Sequence, residues 1–149
     1  MTYENQREYP VLGTFTGDKK LIIDTPVTLT GSYAAARSAV IPIAMGEQAI
    51  LNIAYTMGAA ETGNSLNFKI EFSTNGVTYH QDISQTTASG AATLYKLEYT
   101  FAATGAAGTY DYIRFPLPIA EGYAKIWVKE TGIAANGGLC YVTATVSGK

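Results

Sequence analysis

A chain of 149 residues is the size of one domain and buries roughly 70% of the surface its unfolded form exposes, so no covalent or metal staple is required. A formal net charge of −2 and a pI near 5.3 give no electrostatic footprint for nucleic acid, which needs clustered Lys and Arg. No apolar run approaches the length of about 20 residues that a membrane span needs, and one cysteine excludes an intrachain disulfide.

The polar opening MTYENQREYP lacks the basic segment and apolar core of a secretory signal, which leads to the expectation of a protein made in the cytoplasm. Residues 1–10 are expected to form a flexible N-terminal arm, with Tyr3, Arg7 and Tyr9 as contact residues, ahead of a single domain over 11–149. GTFTGDKK, residues 13–20, lacks the Gly-Lys-Ser/Thr ending of a nucleotide loop and reads as an ordinary loop into a strand. Strands are predicted at 20–23, 27–29, 39–43 and 49–56, and GSYAAARSA at 31–39 allows one short helical turn.

In LNFKIEFSTNGVTYHQDI, residues 66–83, Leu66, Phe68, Ile70 and Phe72 alternate with Asn67, Lys69, Glu71 and Ser73. That is the period of a half-buried strand. Asn75-Gly76 accepts the positive φ angles of a type I′ turn, which predicts a hairpin returning through Val77, Tyr79 and Gln81. Further strands are predicted at 94–102, 110–117, 123–130 and 139–147; Pro116 and Pro118 place an edge or a strand exit at the second of these. Cys140 alternates with Val142, Ala144 and Val146 and reads as a small buried hydrophobe. With helical spacing nearly absent and short, charge-poor loops between the runs, the chain is expected to be all-β: an antiparallel β-sandwich, jelly-roll or immunoglobulin-like, of about ten strands.

No catalytic grouping emerges. His80, the one histidine, lies on an exposed arm, and the acids Asp18, Asp24, Glu47, Glu61, Asp82, Asp111 and Glu121 are scattered, without an acid-rich metal loop. A calcium site assembled across loops stays open, but no catalytic residue, metal ligand or cofactor is assigned. Aromatic residues are the remaining clue. Trp127 lies on the strand side opposite Ile126 and Val128, together with Tyr123, Lys125 and Lys129, while Tyr110 and Tyr112 share a side with Arg114. Such a platform can stack on a sugar ring, anchor a protein interface or lie under a covering loop.

Two segments resemble known architectures. KIEFSTNGVTYHQ, through Ser73, Thr74, Asn75, Gly76 and Tyr79, resembles the strand-turn-strand of discoidin-like and other sandwich modules. YAKIWVKETGIAANGGLCYVTATVSG, residues 123–148, resembles the final hairpin of small β-sandwich structural proteins of tailed bacteriophage virions. The second resemblance implies a non-catalytic virion component, a capsid decoration or accessory protein of head, neck or tail. It would contact viral structural proteins such as the major capsid protein, form a homo-oligomer, and involve neither nucleic acid nor membrane. The alternative is a carbohydrate-binding-like β-sandwich module that uses exposed aromatics.

Overall fold

A computed structural model describes residues 6–15, 23–43, 48–80, 85–87, 90–92, 98–117 and 122–147. In chain order the strands are β1 (Gln6–Leu12), β2 (Thr14–Phe15), β3 (Ile23–Thr25), β4 (Val27–Thr28), β5 (Ser38–Pro42), β6 (Gln48–Thr56), β7 (Ser65–Ser73), β8 (Gln85–Thr87), β9 (Gly90–Ala92), β10 (Tyr99–Ala102), β11 (Asp111–Leu117), β12 (Tyr123–Thr131) and β13 (Leu139–Ser147). A 3-10 turn, Ala35–Arg37, falls within the segment expected to hold one helical turn.

Two antiparallel sheets face each other. One is five-stranded, ordered β1-β13-β6-β11 with β4 also on β13; the other is four-stranded, ordered β10-β7-β12-β5. From β4 to β7, and again from β10 to β13, each successive strand lies in the other sheet, so the chain shuttles across the sandwich as in a jelly roll. The ribbons β2-β3 and β8-β9 complete the pairing.

Alternation explains the core. Leu51 and Ile53 on β6 and Val142 and Ala144 on β13 face Ala124, Ile126 and Val128 on β12 and Leu66 and Phe68 on β7, all buried. Phe68 is the centre of an aromatic cluster: its ring lies 5.0 Å from Tyr99 and 5.7 Å from Phe101 on β10, and meets Phe115 of the opposite sheet edge-on at 5.2 Å. Full burial of each such side chain contributes about 1.5–3 kcal/mol. β13 departs from alternation because both its faces are covered: Tyr141 is fully buried, with Gly13 packed against its ring close to the Thr25 carbonyl.

Several expectations are corrected. The flexible arm is not what Gln6 to Pro10 form. They belong to β1, which pairs antiparallel with β13 from Gln6↔Ser147 to Leu12↔Val142. Their polar character reflects an edge position, and Pro10, which lacks an N–H, sits where the register shifts. Arg7 and Tyr9 are therefore strand residues, while Tyr3 lies outside the described residues. The predicted hairpin is met in part. After β7 the chain reverses at Asn75-Gly76 and pairs antiparallel at Phe72 with His80; β10 takes the same flank of β7 only beside Ser65 to Phe68, and Gln81 lies outside the described residues. Of the predicted strands 20–23 and 94–102, the described parts are Ile23, which opens β3, and Tyr99–Ala102, which is β10; 20–22 and 94–97 lie outside the described residues.

Candidate binding face

One end of the sandwich is fastened by buried acids. β12 keeps its inward parity past Val128, so Glu130 falls on the core face and is fully buried. Its Oε1 accepts from the Tyr55 hydroxyl and from the Asn64 side-chain amide, both at 2.9 Å, and Oε2 accepts the Gly138 N–H. Glu61, also buried, accepts the N–H groups of Ala135 and Asn136 at 2.7 Å and of Ala134 at 3.1 Å. The Asn136, Ala135 and Ala134 donors hold its carboxyl down to about 2. Protein donors thus occupy both carboxylates, and the arrangement anchors the loop between β12 and β13. Among the described residues no three of His, Cys, Asp and Glu converge as metal ligands.

The outer face of the four-stranded sheet is built differently. Tyr123, Lys125, Trp127 and Lys129 are alternate outward residues of β12. Glu71 and Lys69 of β7 lie beside Lys125 and Trp127, and Val40 of β5 flanks Lys125 on the other side. Two loops add rings. Tyr33 precedes the 3-10 turn, which is pinned by the Arg37 Nε–H donating to the Thr28 carbonyl at 2.9 Å. Tyr79 ends a loop closed by the Phe72–His80 pair and shaped by Asn75, whose Oδ1 accepts the N–H groups of Val77 and Thr78 at 2.9 and 3.0 Å. Gly76 holds φ +73° there, and a side chain on it would press on the Tyr123 ring.

Cations and rings alternate across this face. Lys129 lies 4.7 Å from the Tyr33 ring centre, Lys69 5.2 Å from Tyr33 and 5.1 Å from Trp127, and Lys125 4.4 Å from Trp127 and 5.4 Å from Tyr79. Each contact is worth about 0.5–1 kcal/mol where exposed and more where desolvated. Two ion pairs are threaded through them, Lys69 with Glu71 at 3.1 Å and Lys129 with Glu98 at 3.4 Å. The Trp127 indole N–H donates to the other Glu71 oxygen at 2.7 Å. Burial, and then the Glu98 carboxylate, push the Tyr33 phenol well above its ordinary range.

The predicted site residues do not form one platform. Tyr123 and Trp127 belong to this face. Tyr110, Tyr112 and Arg114 belong to the other sheet: Tyr110 is half-buried just before β11, and Tyr112 and Arg114 project outward from that edge strand, Tyr112 being 67% exposed. The strands adjoin in sequence but lie in opposite layers. His80 serves the face through its backbone. Cys140 is buried among the core residues, and burial drives its thiol up.

Tyr33, Tyr79, Lys69, Glu71 and the Glu61–Asn64–Glu130 network are contributors that the sequence reading did not single out. For Glu130 a signal was present, an acid in phase with Ala124, Ile126 and Val128; for the loop residues none was.

No family model and no curated protein matches the chain. Among solved structures it is similar to CBM35 from Cellvibrio japonicus Abf62, at 13% identity and a TM-score of 0.44, covering 97% of this chain and 98% of that one. It is also similar to dimeric latent PorU from Porphyromonas gingivalis, at 7% identity and a TM-score of 0.41, covering 96% of this chain and 12% of that one.

Proposed function

We propose that this chain is a non-catalytic recognition module and that the outer face of its four-stranded sheet binds carbohydrate. The observation that carries this reading is the alternation of rings with charged groups at the centre of the face. The cores of protein interfaces are depleted in Lys and Glu, whereas a sugar offers C–H faces to rings and hydroxyls to ammonium and carboxylate groups. Trp127 is the floor of the site. Lys69 and Lys125 lie over its ring and Glu71 takes its N–H, leaving Tyr123, 37% exposed, as the open ring that meets a ligand, with Tyr79 sharing Lys125 beside it. A glycan array followed by calorimetry tests this: saturable binding that Tyr123→Ala and Tyr79→Ala each weaken supports it, and no binding across the array sinks it.

A second reading, assembly through protein contacts as in a virion component, draws on the opposite layer. Tyr112 and Arg114 stand exposed on an edge strand, and Tyr and Arg are enriched at protein hot spots. Sedimentation equilibrium over a wide concentration range tests it: a defined oligomer that Arg114→Glu dissolves supports assembly, and a monomer throughout counts against self-association.

A further inference from the structure

Among the described residues the charges on the candidate face do not balance. Lys69 is paired with Glu71 and Lys129 with Glu98. Both Glu71 oxygens are already engaged, Oε1 with Lys69 and Oε2 with the Trp127 indole. Lys125, between Glu71 and Val40 in the sheet, lies over the Trp127 and Tyr79 rings, and among the described residues no carboxylate lies within ion-pair distance of it. An ammonium held against aromatic faces has given up part of its hydration, and an anion arriving there regains more than it would at a solvated lysine. The open flanks of Lys125 are apolar: Val40 is 46% exposed and Tyr123 37%.

We infer that the carbohydrate bound by this face carries an anionic substituent, a carboxylate or a sulfate ester, which pairs with Lys125 while the sugar ring rests on Tyr123 and Val40. The inference rests on the carbohydrate reading above and narrows it. One uncompensated lysine suits one negative group per binding register, and the net charge of −2 repels dense polyanions, so nucleic acid is a poor candidate.

The test is an array of carboxylated and sulfated glycans, each printed beside its carboxyl-reduced or desulfated parent, with calorimetry on the strongest binder. An acidic member should bind at least ~10-fold more tightly than its neutral parent and lose affinity as salt rises. Lys125→Gln should erase that preference and Lys125→Arg should keep most of it, with melting curves showing all three proteins folded. Equal binding of acidic and neutral partners overturns the anionic group and leaves the carbohydrate reading standing. An acidic preference that survives Lys125→Gln overturns the role of Lys125. Binding to no glycan of either kind removes the carbohydrate reading itself, and this inference with it.

Discussion

Tyr55→Phe tests whether the buried carboxylate of Glu130 ties the two sheets together. The substitution removes one hydroxyl and leaves the ring in the core. That hydroxyl donates at 2.9 Å to a fully buried carboxylate with no cation beside it among the described residues. A hydrogen bond to a charged acceptor is worth about 1.5–3 kcal/mol, against about 0.5–1.5 for a neutral one. The expected loss is therefore about 2 kcal/mol, or about 4–8 °C in Tm for a chain of this length. Urea denaturation reports it through the fluorescence of the one tryptophan, Trp127, on the same strand as Glu130; the slope m should not change. Repeated in a Glu130→Gln background, Tyr55→Phe should cost about 1 kcal/mol less, because the acceptor is neutral there. Tyr112→Phe, which removes an exposed hydroxyl, is the control and should change nothing. A loss below ~0.5 kcal/mol, or an equal loss in both backgrounds, would refute the claim that this bond is charge-assisted and buried.

Other consequences are open to measurement. Glu61 is held at about 2 by backbone donors, below the ordinary value of about 4.3. The unfolded chain therefore takes up the proton first, and this group's stabilisation is complete above the ordinary carboxylate range and fades as pH falls toward 2. Glu61→Gln should flatten that acid limb in a series of melting curves. The Cys140 thiol, buried and pushed up, should resist a disulfide reagent at pH 8 until denaturant is added. Gly122 and Gly63 both hold positive φ, but a side chain at Gly122 collides with the Ser73 carbonyl while nothing lies near Gly63. Gly63→Ala should cost about 1–2 kcal/mol and Gly122→Ala distinctly more, read from urea midpoints.

The fold was legible wherever one strand face is dry and the other is not. β12 and β6 show the principle: their alternation sets Ala124, Ile126 and Val128, and Leu51 and Ile53, into the core. Alternation gives no signal in the polar QREYP of residues 6–10, expected as part of an arm, although the strand it opens pairs with β13. Asn75-Gly76 shows how far local chemistry reaches. The preference for a reversal is met, since Gly76 adopts positive φ and His80 pairs with Phe72, while the longer partners of β7 are β10 and β12. Local turn chemistry fixes a bend, whereas the choice of strand partner is a tertiary decision.

The candidate face was hidden for a related reason. Lys69, Lys125 and Lys129, read one strand at a time, are the polar half of an ordinary alternation. Their meaning changes when antiparallel register sets Trp127 beside Lys69 and Lys125 beside Glu71, and when loops distant in sequence bring Tyr33 and Tyr79 over the same row. Each of these lysines then has a ring, and among the described residues all but Lys125 also have an acid. The ion pairs themselves, partly open to water, contribute at most about 1 kcal/mol each. The order of the row costs a ligand little entropy on binding, since the side chains that meet it are already held. Preorganisation of this kind supports the proposed recognition role, in which Lys125, the member of the row without an acid among the described residues, would read a ligand's charge.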